Sequence, residues 1–379
     1  MLDAIVVGVG TMGAAACNAL ARRGAAVLGL EQFDIPHALG AHHGHSRLFR
    51  TAYYEHPDYV PLLREAFDLW QGLERRARQR LFQVTGVLYL GSEEGEVLPR
   101  SMAVARTHAI PFESLGVGAL ADRFPWFRVP TGFTGMWEPQ AGLVVPELAV
   151  AMLAAEAIRQ GAEIHARERV LTWADTGTAV RVRTRRDWAG HEREIEAKSI
   201  VFASGAWTDR IVRDLGVPLV VTRQPVAWVG PRDAAAFEIG AFPCWAIEAD
   251  DRSLYYGFPI LPTAPGLKVG RHLRGEITDP DAVDRTPRST DIRPLLDCLT
   301  QHLPDAVGPL LGTAVCTYTN SPDGHFIIDR IGPRAAIACG FSGHGFKFAP
   351  MIGEILADLA LEGSTSRPAS FLSLQRFRT

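Results

Sequence analysis

Residues 4–13, AIVVGVGTMG, decide the fold of this chain. Residues 4–9 are a continuous apolar run rich in β-branched side chains, the pattern of a strand that is buried on both faces of a parallel sheet. A glycine-rich turn follows at once, and Gly8, Gly10 and Gly13 have the GxGxxG spacing of a dinucleotide-binding turn. The sequence therefore predicts a strand, a tight turn and a helix that together bind a pyrophosphate.

The three glycines have different physical roles in such a turn. Gly8 permits the sharp turn, Gly10 lets the backbone approach a pyrophosphate at the helix N-terminus, and Gly13 allows close packing of helix on strand. Glu31 follows Gly8 by 23 residues, at the end of the next predicted strand, where it would accept hydrogen bonds from a ribose diol. An acid there disfavours the 2'-phosphate of NADP, but the motif alone leaves NAD and FAD open.

The buried-strand pattern returns later in the chain, at residues 199–207 and 335–340. Helices are predicted over residues 11–23, 57–74, 146–160 and 351–361. Between these segments, strand signals alternate with turns rich in Gly and Pro, as antiparallel sheets require. The chain therefore mixes a parallel α/β pattern with a second, largely antiparallel one.

This alternation predicts an α/β plus α+β protein, in which a Rossmann-like FAD-binding domain carries an inserted, mostly antiparallel substrate domain. FAD is favoured over NAD because the glycine motif begins the chain and a strand and helix return at its end. The FAD-binding domain is predicted from residues 1–84, 143–220 and 322–379, and the substrate (catalytic) domain from residues 85–142 and 221–321. Ligands are expected where the two domains meet.

Composition and charge exclude several classes of protein. The 379 residues carry a net charge of -3 and no long Lys/Arg block, so neither nucleic acid nor an anionic membrane surface is an expected partner. No run approaches 18 uninterrupted apolar residues, and no signal peptide is predicted. The five cysteines are scattered without CxxC spacing, which predicts no metal site, no disulfide framework and a cytoplasmic location.

Five later segments together resemble the amine oxidase family that contains monomeric sarcosine oxidase and N-methyltryptophan oxidase. They are HHGHSRLFRTAY (42–53), YYGFP (255–259), GLKVGRH (266–272), AVCTYTNSPDGHFIID (314–329) and GFSGHGFKF (340–348). The resemblance spans nearly the whole chain. It implies a monomeric enzyme with FAD as cofactor and with an amino acid and molecular oxygen as its small-molecule partners.

The resemblance also implies roles around the flavin. Cys316 matches the cysteine that forms a thioether to the 8α-methyl of FAD, and His43 and Arg47 match basic residues near the ring. Lys268 matches the lysine that serves oxygen activation, where a fixed cation stabilises the charge that develops on dioxygen. Taken without the family, a lone cysteine is more often an inert buried thiol, and a lone lysine a surface residue.

The substrate side of the site is implied in the same way. Arg50 and Lys347 match the pair that grips the substrate carboxylate, for which a planar guanidinium and a point charge are suited. Tyr255, His272 and Tyr318 match residues that line the substrate face of the flavin and exclude water. These residues are predicted to meet in one pocket between the domains.

Two turns are expected to complete the flavin contacts. Gly343 and Gly345 belong to the turn that places a helix N-terminus against the pyrimidine ring, and Gly205 and Trp207 belong to a second strand end. His45 departs from the family pattern, which often has an acid at that position.

The implied reaction is oxidation of an N-methyl or other secondary amino acid, such as sarcosine or N-methyltryptophan. The resulting imine hydrolyses to formaldehyde and the primary amino acid, while O2 is reduced to H2O2. The alternatives are oxidation of a cyclic imino acid such as pipecolate or proline, a flavin dehydrogenase with another acceptor, a non-catalytic flavoprotein, and an NAD-dependent dehydrogenase, which would not explain the AVCTYT and GHGFK segments.

Overall fold

The computed structural model describes residues 1–186, 190–272 and 275–378. Within these residues the chain forms three β-sheets and eight α-helices. The strands are β1 (Leu2–Val7), β2 (Val27–Leu30), β3 (Arg47–Phe49), β4 (Phe82–Val84), β5 (Val87–Ser92), β6 (Glu113–Leu115), β7 (Phe133–Glu138), β8 (Gly142–Val144), β9 (Glu163–His165), β10 (Glu168–Asp175), β11 (Val180–Arg186), β12 (Glu192–Phe202), β13 (Val220–Val229), β14 (Cys244–Glu248), β15 (Leu254–Phe258), β16 (Leu267–His272), β17 (Leu310–Asn320), β18 (Ile327–Gly332) and β19 (Ala335–Cys339). The helices are α1 (Thr11–Arg22), α2 (Tyr59–Ala77), α3 (Val97–Thr107), α4 (Val117–Arg123), α5 (Pro146–Arg159), α6 (Thr208–Ile211), α7 (Ser289–His302) and α8 (Ala349–Leu361).

The first sheet has a parallel centre. β1 pairs in parallel with β2 on one side and with β12 on the other, and β2 pairs in parallel with β9. The second half of β12 also pairs in parallel with β19, whereas β10, β11 and β18 add antiparallel strands. The fully buried residues of β1 explain its continuous apolar run, because both faces of this strand are covered.

Helix α1 follows β1 through the glycine-rich turn and lies against α5 and α8. Small side chains make this packing possible. A Cβ atom at Gly353 of α8 would lie 2.5 Å from the carbonyl oxygen of Ala15 in α1, so the two helix backbones are in close contact. The run of alanines in α1 thus fixes how closely the helical layer approaches the sheet.

The second sheet is mostly antiparallel. Its strand order is β17-β13-β16-β15-β14-β5-β7-β6, and every neighbouring pair is antiparallel except β14 with β5. α7 covers one face and buries Ile292, Leu295 and Leu299 against it. The predicted fold class, a Rossmann-like FAD-binding unit with a mostly antiparallel insertion, is confirmed.

The two large sheets draw on separate parts of the chain. Strands of the first sheet lie within residues 1–84, 143–220 and 322–379, and strands of the second within residues 85–142 and 220–321. A small sheet of β3, β8 and β4 connects the two regions. β3 begins at Arg47, so the segment that carries several predicted site residues runs between the two large sheets.

Candidate active site

A cavity of about 430 Å³ lies at the carboxyl end of β1. Most of the predicted cofactor residues line it, and they come from four separate parts of the chain. They are Gly8, Gly10, Glu31, Gly205, Trp207, Gly343 and Gly345. Gly13 lies one turn into α1, outside the lining, as its predicted role in helix packing requires.

The glycines of the turn are constrained to different degrees. A Cβ atom on Gly13 would lie 1.7 Å from the carbonyl oxygen of Gly8, and one on Gly8 would lie 2.7 Å from the carbonyl oxygen of Ala203. Gly8 also has a φ of +87°, which favours glycine. A Cβ atom on Gly10 would approach no protein atom more closely than 3.7 Å. Gly10 therefore leaves room for a ligand, whereas Gly8 and Gly13 are required by the fold itself.

Glu31 is a buried carboxylate at the end of β2, with 5% of its surface exposed. It accepts hydrogen bonds from the backbone N–H groups of Val9 (2.8 Å) and Phe33 (3.0 Å). Burial raises its pKa, and these backbone donors partly offset that shift. Glu31 therefore holds the glycine turn in place and keeps acceptor capacity for a ribose diol.

A second cavity of about 90 Å³ adjoins the first, and both are lined by Arg47, Tyr318, Gly343 and Phe346. It gathers most of the predicted chemical residues. Lining residues predicted from the sequence are Arg47, Arg50, Lys268, His272, Cys316, Tyr318 and Lys347. Cys316 and Lys268 mark one end of this cavity, and Arg50 and Lys347 mark the other.

Cys316 lies beside the loop that carries His43. Its Sγ atom is 4.0 Å from His43 Nδ1 and donates to the His43 carbonyl oxygen at 3.6 Å. Burial would raise the pKa of the thiol, but His43, Arg47 and Lys268 outweigh it and lower the pKa to about 6. The His43 Nε2 atom is buried and has no hydrogen-bond partner among the described residues. The thiol is therefore largely ionised near pH 7, which is its nucleophilic form.

Lys268 is almost fully buried, with 2% of its surface exposed. Its Nζ atom donates to the carbonyl oxygens of Gly44 (2.6 Å) and Ser46 (3.1 Å) and lies 5.0 Å from the ring centre of Phe258. Burial, reinforced by the charge of Arg47, lowers the pKa of Lys268 to about 7. The ammonium is therefore held rigidly and titrates near neutral pH.

The sequence reasoning did not find the carboxylate that holds this loop. Glu147, in the first turn of α5, accepts hydrogen bonds from the backbone N–H groups of Gly44 (2.6 Å) and His45 (3.1 Å). In the sequence this residue resembles any acidic residue that favours a helix N-terminus, so its contact with a distant loop left no signal.

Two cations of the cavity lining, Arg50 and Lys347, both contact the ring of Tyr53. The Arg50 guanidinium lies 4.4 Å from the ring centre of Tyr53 and 4.8 Å from that of Tyr54, and it forms an ion pair with Glu55. Lys347 Nζ is 5.0 Å from the ring centre of Tyr53. Cation–π contacts of this kind stabilise charge that has left water.

These charged groups shift one another's pKa values. Burial, followed by the charge of Arg50, lowers the pKa of Lys347 to about 7. Burial would raise the pKa of Glu55, but Arg50 and other positive neighbours lower it to about 2. Burial disfavours protonation of His272 and lowers its pKa to about 4. Near pH 7 the cavity therefore holds a charged Arg50, a charged Glu55 and a neutral His272.

A second carboxylate missed by sequence reasoning supports the arginine end. Glu138 has 1% of its surface exposed and accepts hydrogen bonds from the backbone N–H groups of Thr51 (2.7 Å) and Ala52 (3.3 Å) and from the Tyr89 hydroxyl (2.9 Å). It fixes the backbone just after Arg50, which sets the direction of the guanidinium.

Tyr255 was predicted to line the substrate face, and the structure places it elsewhere. Side chains alternate along β15, so Tyr255 points into the hydrophobic cluster beneath α7, with the Arg271 guanidinium 5.6 Å from its ring centre. Its neighbour Tyr256 lines the cavity and hydrogen-bonds Tyr318. The structure therefore brings Tyr256, and not Tyr255, to the cavity.

His272 and Tyr318 do meet at the cavity, with 3.3 Å between His272 Nδ1 and the Tyr318 hydroxyl. The turn with Gly343 packs directly on this tyrosine, since a Cβ atom on Gly343 would lie 2.2 Å from the Tyr318 ring. Gly343 therefore lets the turn reach the boundary between the two cavities.

Two negative findings apply to residues 1–186, 190–272 and 275–378. None of their helices is long and apolar enough to cross a bilayer. No group of three or more His, Cys, Asp or Glu side chains among them is arranged to hold a metal ion.

The fold and the two adjoining cavities define a dinucleotide-dependent enzyme with a small, cationic second site. A family model described as FAD dependent oxidoreductase matches residues 3–359. Monomeric sarcosine oxidase of Streptomyces avermitilis is 37% identical, over 99% of this chain and 97% of that protein. N-methyl-L-tryptophan oxidase of Yersinia pestis is 33% identical, over 99% of each.

A solved structure has a fold similar to that of this chain. The open form of NikD, described as an unusual amino acid oxidase essential for nikkomycin biosynthesis, is 26% identical with a TM-score of 0.84, and the match covers 98% of this chain and 97% of that chain. The chain belongs to the FAD-dependent oxidoreductases, within the family of monomeric sarcosine oxidase and N-methyl-L-tryptophan oxidase.

The glycine geometry predicts that Gly10→Ala weakens FAD binding without unfolding the protein. The new methyl group meets no protein atom within 3.7 Å but occupies space that the pyrophosphate needs. In a Cys316→Ser background, which removes the thiol implied to attach FAD, we expect FAD affinity to fall at least about tenfold, equivalent to about 1.4 kcal/mol, while the melting temperature of the FAD-free chain changes little. The ratio of flavin to protein absorbance and thermal unfolding measure the two effects.

Gly118→Ala is the matched control, because Gly118 lies in α4 with no atom within 4 Å of the added methyl group. It should keep full FAD content. A Gly10→Ala protein that bound FAD as tightly as the parent would show that the backbone at Gly10 does not approach the cofactor.

Proposed function

We propose that this chain is an FAD-dependent oxidase of N-methyl or other secondary amino acids that uses O2 and releases H2O2. The observation that carries the proposal is the second cavity, where two buried cations for a carboxylate, Arg50 and Lys347, share about 90 Å³ with Lys268 and Cys316. The names of the relatives, which are oxidases of sarcosine and of N-methyl-L-tryptophan, support the same class of substrate.

The residues of the first cavity fit FAD. The glycine turn and the N-terminus of α1 would hold the pyrophosphate, and Glu31 the ribose, while Cys316 would hold the flavin through a thioether to its 8α-methyl carbon. The low pKa of Cys316 supports this attachment, because a thiolate is the nucleophilic form. When bound, FAD supplies the acceptor for two electrons from the substrate and their transfer to O2.

Arg50 and Lys347 orient the substrate by its carboxylate. The guanidinium offers a planar pair of donors and the ammonium a point charge, both in a site largely closed to water. Before substrate binds, the carboxylate of Glu55 balances the charge of Arg50. This ion pair lowers the free energy needed to keep two cations in one cavity. Tyr256, Tyr318 and the neutral His272 form apolar or uncharged walls that exclude water from the amine.

Lys268 and the loop before β3 act on the oxygen side of the reaction. The ammonium is fixed by two carbonyl oxygens and needs no reorientation when negative charge develops on dioxygen beside it. Arg47 and His43 add positive charge around Cys316 and favour its ionised form. The C=N product leaves the site and is hydrolysed by water to formaldehyde and a primary amino acid.

The proposal extends to organisation and location. We assign residues 1–84, 143–220 and 322–379 to the FAD-binding domain and residues 85–142 and 221–321 to the substrate domain, as the separation of the two large sheets supports. The five cysteines are all free and buried, which supports a reducing cytoplasm. The relatives named monomeric sarcosine oxidase support a monomer.

The proposed function predicts that a secondary amino acid bleaches the pure yellow protein under anaerobic conditions. Sarcosine, N-methyltryptophan, pipecolate and proline are added in turn, and air is then admitted while peroxide is measured. Bleaching that air reverses, with one H2O2 per turnover, is the expected result. A protein that none of the four reduces would overturn the proposed substrate class, and reduction without peroxide formation in air would instead indicate a dehydrogenase.

Covalent attachment predicts that FAD stays on the denatured parent chain and is released from Cys316→Ser. A serine hydroxyl is too weak a nucleophile to form the link. Flavin fluorescence of the denatured chain, separated from free FAD, measures this without reference to activity. Cys298→Ala is the control, since burial raises the pKa of this remote thiol to about 12. Equal FAD retention by Cys316→Ser and the parent would disprove the assignment.

The pKa of Lys347 predicts a pH dependence for the reductive half-reaction. The ammonium is charged below pH 7 and loses its proton above it, so carboxylate binding weakens as pH rises. We expect the anaerobic rate constant for reduction at low substrate to fall above pH 7, by up to about tenfold per pH unit, until Arg50 alone binds the carboxylate.

Lys347→Arg tests this directly, because a guanidinium stays charged throughout. The rate constant of the parent divided by that of Lys347→Arg should fall between pH 7 and pH 9, whereas the rate constant of Lys347→Met divided by that of Lys347→Arg should be low and constant over this range. Ionisation of the substrate amine affects all three proteins equally and cancels in the comparison. A parent profile parallel to that of Lys347→Arg would contradict the role of Lys347.

A further inference from the structure

Part of the lining of the second cavity is apolar. Tyr54, Val97 and Leu254, which we call the outer wall, line the cavity together with Ala246. They come from the segment after Arg50, from the N-terminus of α3 and from β15. Other lining residues, such as Arg50, Lys268 and Lys347, are charged, whereas the outer wall carries no charge.

The size of the cavity limits what this wall can accommodate. A cavity of about 150 Å³ accommodates a single benzene ring, and pockets for larger ligands reach about 300 Å³ or more. The second cavity measures about 90 Å³, and its lining includes Lys268 and Cys316, next to which the flavin would lie. This space suits an amino acid with a hydrogen or a small aliphatic side chain better than one with an indole side chain.

Tyr54 occupies its position for reasons that do not depend on substrate. Its ring covers one face of the Arg50 guanidinium at 4.8 Å, while Tyr53 covers the arginine at 4.4 Å and Glu55 holds it by an ion pair. Because the arginine is held on several sides, the tyrosine that stacks on it is also restrained.

The rest of the outer wall is anchored as firmly. The carboxylate of Glu248, at the end of β14, accepts hydrogen bonds from the backbone N–H groups of Glu96 (2.9 Å) and Val97 (2.8 Å). These contacts tie the start of α3 to the second sheet. Leu254 is fixed by its place in β15, opposite His272 in β16. The wall is therefore a rigid part of the fold.

We propose that Tyr54 determines substrate size in this enzyme, and that the outer wall restricts oxidation to N-methyl amino acids with a hydrogen or a short aliphatic side chain. This inference rests on the proposed function and narrows it. Tyr54 has two effects: its stacking on Arg50 supports binding of every substrate carboxylate, and its ring volume excludes large side chains.

The test compares the FAD-loaded parent with Tyr54→Ala and Tyr54→Phe on sarcosine, N-methylalanine and N-methyltryptophan. The measured quantity is the ratio of kcat/KM for N-methyltryptophan to that for N-methylalanine, because a loss common to both through Arg50 cancels in this ratio. We expect Tyr54→Ala to raise the ratio at least about tenfold, since one side-chain group in a pocket already changes discrimination by about that factor. Tyr54→Phe keeps the ring and should keep the parental ratio.

Val97→Ala widens the same wall without touching Arg50, so it provides an independent test should Tyr54→Ala fail to fold. It should raise the ratio of kcat/KM for N-methyltryptophan to that for N-methylalanine. A parent that oxidises N-methyltryptophan as efficiently as N-methylalanine, or variants that leave the ratio unchanged, would overturn the size limit and leave the proposed function intact. Failure of these three substrates and of pipecolate and proline to reduce the flavin would overturn both.

Discussion

The buried ammonium of Lys268 connects the two halves of this molecule. It extends from β16 of the antiparallel sheet and donates to the carbonyl oxygens of Gly44 and Ser46, in the loop that leaves the dinucleotide-binding region. A lysine buried this completely loses its hydration, and these carbonyl oxygens replace the lost water. The same loop carries His43 and Arg47, so one contact positions the cations around Cys316 and joins the two sheets.

Buried positive charge governs both ends of the second cavity. The cations near Cys316 lower the pKa of its thiol, and Arg50 and Lys347 both contact the ring of Tyr53. Burying these cations raises the free energy of the folded state unless each one is stabilised by carbonyl oxygens, aromatic rings or a carboxylate. Glu55 is the ionised carboxylate beside Arg50. An anionic ligand balances the positive charge of such a site, which is why the site suits the carboxylate of an amino acid.

Sequence reasoning recovered the parts of the site that belong to local motifs. The glycine turn and Glu31 depend on spacing within one βαβ unit, and the segments around Cys316 and Lys347 could be matched to a family. It did not predict helices α3, α4 or α7, whose apolar faces form only against the second sheet. It also chose Tyr255 over Tyr256, because which of two adjacent strand residues faces a cavity depends on how the sheet is covered.

The sequence by itself determined the dinucleotide turn, the class of fold and the residue types that gather for chemistry, because each is encoded within a short stretch of chain. Only the tertiary structure decided how those residues are held. Glu138 and Glu147 support the site through hydrogen bonds to backbone groups 86 and 102 or more residues away, and backbone acceptors and donors leave no side-chain signature in a sequence. The lining of the second cavity likewise brings Tyr54 and Val97 together from segments that are far apart in the sequence.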